Sequence, residues 1–198
     1  FYKKINGITS SSQGFQNQFE LIKTFGNYQV LGTEVLVQKT YKQFNTWISY
    51  SYNNNLYDFR TLTNTSFPNN FDVTHAINWA GIYDWKSIKI ALGTKWHTGK
   101  PITTPNQFLV TDLNPNITYN SPNNTKLKDY FQMNFSASKD WELNKKITMQ
   151  TAFSILNLLN TRNSINRFYR VNSANNSVES VDTYSIRFTP NISVKLSF

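Results

Sequence analysis

The alternation of apolar and polar residues is clearest near the end of the chain. Over residues 183–198 every even position (Tyr184, Ile186, Phe188, Pro190, Ile192, Val194, Leu196, Phe198) is apolar or aromatic. Every odd one (Thr183, Ser185, Arg187, Thr189, Asn191, Ser193, Lys195, Ser197) is polar. A period of two belongs to a strand, whose side chains point alternately to opposite faces. The same alternation predicts strands over 130–139, 146–155, 87–96 and 44–53. Two weaker strands cover 32–39, where Leu36 breaks the pattern, and 73–83, where Ile82 does. With an initial strand over 1–9, the chain reads as all-β with eight strands.

The connections alternate in length. Short turns are predicted at 41–43, 84–86 and 140–145, and long polar segments at 10–29, 54–72, 98–128 and 160–182. Counted back from Phe198, every long segment falls at one end of the strands and every short turn at the other. Repeated loops of about twenty residues are uncommon in compact domains, whereas antiparallel transmembrane barrels combine short turns on one side with long loops on the other. The polar face is mostly Ser, Thr, Asn, Gln and Lys, as suits a wet lumen. Glu34, Lys89, Lys95, His97, Arg187 and Lys195 are predicted to face that lumen. Tyr41, Phe44, Tyr83, Trp85 and Trp141 fall at the short-turn ends, and Tyr52, Trp96 and Tyr184 near the loop ends. These are the two levels at which amphipathic rings meet lipid headgroups.

Composition narrows the classes further. No apolar run reaches the length of about 20 residues needed for a membrane helix. Abundant aromatics (15 Phe, 11 Tyr, 5 Trp) argue against disorder. The absence of Cys excludes a disulfide scaffold, thiolate chemistry and Cys-ligated zinc. A net charge of +9 would raise nucleic-acid binding, but the Lys and Arg residues are dispersed, with no run longer than two, and no nucleic-acid partner is predicted. The chain opens at Phe1 inside a predicted strand, which reads as a mature segment or a piece of a longer chain.

No catalytic residue, cofactor or metal is predicted. The acids (Glu20, Glu34, Asp58, Asp72, Asp84, Asp112, Asp129, Asp140, Glu142, Glu179, Asp182) form no paired motif for acid–base work. His75 and His97 are the two histidines and lack an evident third metal ligand. Gly99-Lys100 has neither the Gly-rich lead-in nor the following helix of a phosphate loop; Gly99 and Pro101 read as a strand-to-loop corner.

Several segments, in order, resemble TonB-dependent outer-membrane receptors of the kind abundant in Bacteroidetes. Gly7-Ile8-Thr9 with Ser11 to Phe19 resembles a loop of such receptors. Gly32-Thr33-Glu34-Val35-Leu36-Val37-Gln38-Lys39 is similar to their RGxELxxxK strand, with Leu31 where a basic residue is commoner. Thr46 to Tyr52 resembles the next strand. Phe67-Pro68-Asn69-Asn70 with Asp72 and Thr74 to Asn78 resembles FPxxxDxxHxLN, and Trp96 to Pro101 the xxSGxPxT corner. Leu156-Asn157-Leu158-Leu159-Asn160 resembles xxNLFN, and Phe188-Thr189-Pro190-Asn191 leads to the C-terminal Phe.

The resemblance implies the C-terminal third of a plugged barrel of about 22 strands, residues 1–198 being wall and the plug and earlier strands lying elsewhere. It implies active uptake of a scarce nutrient (siderophore, metal complex, oligosaccharide or peptide). The implied partners are outer-membrane lipid, the rest of the barrel and plug, TonB and a surface lipoprotein. Phe198 would be the assembly signal. Phe67, Phe108, Tyr119, Asn123, Phe168 and Tyr169, in the long loops, would contact ligand. Two other architectures share the alternation: a self-contained eight-stranded outer-membrane barrel with a structural or adhesion role, and a soluble carbohydrate-binding β-sandwich.

Overall fold

The computed structural model describes residues 1–10, 24–110 and 116–198. Its strands are β1 (Tyr2–Ser10), β2 (Thr24–Tyr41), β3 (Phe44–Asp58), β4 (Phe67–Pro68), β5 (His75–Trp85), β6 (Ile88–His97), β7 (Pro101–Ile102), β8 (Thr125–Lys126), β9 (Tyr130–Asn144), β10 (Ile147–Leu156), β11 (Ser164–Val171), β12 (Val178–Tyr184) and β13 (Thr189–Ser197). Eight of them form one antiparallel sheet in the order β1-β2-β3-β5-β6-β9-β10-β13, with β4 pairing β3. The pairs β7-β8 and β11-β12 are separate two-stranded sheets.

Each of the eight predicted strands corresponds to one strand of the large sheet, and strands consecutive in this set pair antiparallel. The short turns shrink to two residues: Lys42-Gln43, Lys86-Ser87 and Lys145-Lys146. Lys42 and Lys86 take positive φ, and the third turn is closed by Asn144, whose Oδ1 accepts from the backbone N–H of Lys146 and of Ile147 at 2.9 Å. The predicted turn 140–145 was too long, because Asp140 and Glu142 still ladder with Gln150 and Thr148.

Three boundaries change. β2 begins at Thr24 and β3 runs to Asp58, so much of the predicted loops 10–29 and 54–72 is strand. There both faces carry polar side chains, and alternation gives no signal. Residues 11–23 lie outside the described residues, as does the receptor-like segment from Ser11 to Phe19. The segment 160–182 contains the hairpin β11-β12. Finally, the predicted strand 183–198 is two strands. Thr183 and Tyr184 pair with Asn166 and Ser164 on β11, and β13 starts only at Thr189. Between them the backbone N–H of Ser185 donates to Asn163 O at 2.9 Å and that of Phe188 to Asn160 Oδ1 at 3.2 Å. Loop groups take the hydrogen bonds a ladder would need. Tyr184 therefore leaves the girdle for the hairpin, and Arg187 leaves the lumen-facing row for this connection, where its Nε donates to Asn160 Oδ1 at 2.8 Å.

Register divides the sheet into two unlike faces. Tyr41, Phe44, Tyr83, Ile90, Ala137, Phe153 and Ile192 stand directly opposite one another in one row across seven strands. Val35, Tyr50, Ile77, Trp96 and Phe131 form another row of the same face. The opposite face carries Ser49, Asn78, Lys95 and Gln132 in one row and Lys89, Ser138, Ala152 and Ser193 in another. Val30, Leu36, Trp47, Ile82 and Leu156 are the larger of its apolar exceptions.

No second layer covers either face among the described residues; substantial contacts between elements join laddered neighbours. Ile192 is 80% exposed and Phe198, continuing the apolar side of β13, is 95% exposed. Each such side chain left in water forgoes about 1.5–3 kcal/mol of burial. Apart from Val30 on β2, the buried apolar residues Phe59, Phe67, Ile102, Val110, Ile117 and Leu127 instead sit in the connections at one end of the sheet.

Candidate functional site

The described parts of the long connections after β3, β6 and β10 pack into a cap on the end of the sheet away from the two-residue turns. Its aromatic centre is Phe59 against Phe67, with ring centroids 6.3 Å apart, and Tyr57 edge-on to both at 5.2 and 5.9 Å. Ile8 and Leu62 pack on this cluster. Gly26 makes room for it: a Cβ there would lie 2.4 Å from the Phe59 ring. Phe67, expected to contact ligand, is enclosed here.

Polar staples tie the connections together. The buried carboxylate of Asp72 accepts from Asn55 N at 3.1 Å, Asn55 Nδ2 at 3.3 Å, Thr74 Oγ1 at 3.0 Å and Lys126 Nζ at 3.2 Å. Asn123 is buried with a positive φ; its Nδ2 donates to Pro68 O and Asn70 Oδ1 at 2.7 Å, and its N–H to Thr103 Oγ1 at 2.9 Å. Asn123 thus joins two connections instead of facing outward. Gly99 forms the corner expected of it: its N–H donates to Asp129 Oδ1 at 3.1 Å, and a Cβ would fall 1.7 Å from Leu127 O.

The connection from β10 to β13 turns on Asn157, which is fully buried at positive φ. Asn163 lies alongside the end of β9, accepting from Phe131 N at 3.0 Å and donating to Phe131 O at 2.8 Å, as a neighbouring strand would. The sequence pointed to Asn157 only as part of the receptor-like segment from Leu156 to Asn160, and to Asn163 not at all. For Asn157 a further signal was the tolerance of Asn for the left-handed region.

The hairpin β11-β12 carries the chemically richest surface. Residues 167, 169 and 171 of β11 share a face with 182, 180 and 178 of β12, which places Phe168 on the other face from Tyr169. Arg167 grips Asp182 with both arms, Nε to Oδ1 at 2.5 Å and Nη2 to Oδ2 at 2.9 Å, and Tyr184 donates its hydroxyl to Asp182 Oδ2 at 3.2 Å. The guanidinium holds the Asp182 carboxyl below the usual carboxylate range, and the carboxylate raises Arg167 further. Tyr119 meets Tyr169 edge-on at 6.4 Å, and the Arg162 guanidinium lies 4.0 Å over the Tyr184 ring. The Phe108 carbonyl accepts from the Val178 N–H at 2.8 Å while its ring is 84% exposed. Among the six loop candidates, the structure brings Phe108, Tyr119 and Tyr169 to this hairpin, sets Phe168 on its reverse, and encloses Phe67 and Asn123. Rings flanked by a paired guanidinium and carboxylate can stack on and hydrogen-bond a polar ligand.

Of the lumen-facing candidates, Glu34, Lys89, Lys95, His97 and Lys195 share the polar face by register. Lys89 pairs with Asp84 at 3.8 Å, and His97 stacks on Tyr130 at 4.8 Å. His75 lies on the apolar face, where the Tyr50 hydroxyl meets its Nδ1 at 2.9 Å. The sheet separates the two histidines, so they cannot share one metal. Among the described residues no group of three or more His, Cys, Asp or Glu could hold an ion. Tyr41, Phe44, Tyr83, Trp85 and Trp141 stand on the apolar face toward the two-residue turns, and Tyr52 and Trp96 toward the cap.

Comparison with protein families, curated proteins and solved structures gives no match for this chain.

Proposed function

We propose that the chain is a C-terminal wall segment of an outer-membrane β-barrel transporter of the TonB-dependent kind, with the cap as part of its external ligand mouth. One observation carries the reading: a single-layer antiparallel sheet with one uncovered apolar face, one polar face, and all its long connections at one end. A sandwich would need a second sheet over the apolar side. The dimensions fit as well. The eleven residues of β5, at about 3.3 Å each and a tilt of about 45°, span about 25 Å, the height of a barrel's apolar band.

A larger barrel is favoured over a closed eight-stranded one by the sheet edges. β1 and β13 each have one ladder partner among the described residues, and backbone groups in hydrocarbon must be paired. Further strands of the same barrel would supply the missing ladders. The cargo class is the one the resemblance implies, a siderophore, metal complex, oligosaccharide or peptide. The hairpin surface around Tyr119, Tyr169 and Arg167 favours a ligand offering both flat faces and hydroxyl or carboxylate groups.

The cysteine-free sequence makes the orientation directly testable. In the full-length protein, Phe108→Cys should react with an impermeant maleimide on intact cells, and Lys145→Cys only after lysis. Equal labelling of both positions on intact cells would overturn the reading. Deletion of the gene should then abolish energy-dependent growth on the limiting nutrient.

A further inference from the structure

The rim of the apolar face at the two-residue turns has a charge pattern that the transporter reading leaves unexplained. We propose that Lys39, Lys42, Lys86 and Lys139 form an arc that binds anionic phospholipid headgroups. This rests on the membrane reading above and names the lipid that the rim selects.

Register puts two of the four on the apolar face: Lys39 opposite Thr46, and Lys139 opposite Ile88 and Thr151. The other two occupy turns, and rings hold them to the same side. Lys42 Nζ lies 5.4 Å from the centroid of Tyr41, Lys86 Nζ 5.9 Å from that of Trp85, and Lys139 Nζ 3.7 Å from that of Trp141. A cation over a π face is attracted to it, so these three ammonium groups are stationed above the aromatic rim. No ion pair among the described residues includes any of the four.

The acids at the same end point the other way. Asp84 stands opposite Lys89, Asp140 opposite Gln150 and Glu142 opposite Thr148, all on the polar face. The rim is basic outside and of mixed charge inside, where Lys89 and Lys195 stand among the acids. At the cap end of the apolar face, the rows of Tyr52, Trp96 and Phe131 contain no Lys or Arg. Within the belt the cations of the apolar face thus gather at one edge; Lys4, on the same face of β1, lies beyond the other edge, opposite Gln29. An ammonium donates to phosphate oxygens, and only a headgroup with net negative charge leaves that attraction uncancelled. A juxtamembrane lysine near an anionic surface contributes about a fivefold preference.

The test uses the full-length protein reconstituted into vesicles of phosphatidylcholine alone or of equimolar phosphatidylcholine and phosphatidylglycerol. Quenching of Trp85 and Trp141 by brominated lipid reads the relative affinity for each headgroup. The wild type should insert into both and favour phosphatidylglycerol, with the preference erased by high salt. Lys39→Gln/Lys42→Gln/Lys86→Gln/Lys139→Gln should lower it by at least about fivefold, whereas Lys89→Gln/Lys195→Gln on the polar face should leave it intact. If the fourfold variant does not insert, Lys42→Gln/Lys86→Gln in the turns and the salt titration of the wild type read the same quantity. Insertion with a preference that survives high salt or the lysine substitutions would overturn the inference while leaving the membrane reading standing. Failure of the wild type to insert into phosphatidylcholine would sink both.

Discussion

Asn157 Nδ2 donates to Ile186 O at 3.0 Å, tying the end of β10 to the segment that leads into β13. The same amide donates to Thr161 O at 2.8 Å and accepts from Thr161 N at 3.0 Å, while the Asn157 N–H donates to Asn134 Oδ1 at 3.0 Å. A buried side chain with every polar atom engaged at positive φ is hard to replace. Asn157→Ala should cost about 2–4 kcal/mol, from unpaired buried groups and a strained backbone. Asn157→Gly should recover only the backbone part. Denaturant midpoints of the two variants check the ordering.

Asp72 has a similar position in the connection from β3 to β5. Asp72→Ala removes the acceptor for Asn55, Thr74 and Lys126 together, and should loosen the cap at a cost of about 3–5 kcal/mol, as when one partner of a buried pair is lost. Lys126, more exposed, should matter less: Lys126→Met should cost about 1 kcal/mol. Protease cleavage within residues 59–74 should rise strongly in the first variant and slightly in the second.

The two faces of β13 separate lipid contact from water contact. Ile192 and Ser193 are both exposed neighbours on opposite faces. On a solvated sheet, Lys at either position would change stability by about 0.5 kcal/mol or less. Against hydrocarbon, Ile192→Lys should cost about 2–4 kcal/mol and Ser193→Lys little. The heat-modifiable folded fraction in outer membranes should therefore fall for Ile192→Lys alone.

The hairpin should loosen in acid. The Asp182 carboxyl is held below its ordinary range chiefly by its hydrogen bond from Arg167. Its contribution to stability is complete above the unfolded-state value of about 3.9 and is lost as pH falls through the depressed folded value. Protease cleavage between 164 and 184 should increase in that acid window. Arg167→Met should flatten the profile by removing the partner.

What could be read in advance follows from the range of each interaction. Where one face of a strand is apolar and the other polar, as along Ile88, Ile90 and Leu92 against Lys89, Ala91 and Gly93, two neighbouring residues suffice to reveal it. Above the belt, Asn53, Asn54 and Asn55 carry no such contrast, and the extension of β3 to Asp58 stayed hidden. Alternation even misled: Tyr184, Ile186 and Phe188 keep the parity of Ile192 while belonging to a different sheet and a connection.

By itself the sequence determined the eight strands, the places of the three short connections and the two unlike faces of the sheet, because period two and turn chemistry act over a few positions. Only the tertiary structure decided that Phe67 and Asn123 are enclosed, that His75 and His97 lie on opposite faces, and that β13 begins at Thr189. Those outcomes depend on which distant groups satisfy a backbone N–H or a carboxylate, such as Asn160 for Phe188 or Lys126 for Asp72, and no local pattern encodes a partner that far along the chain.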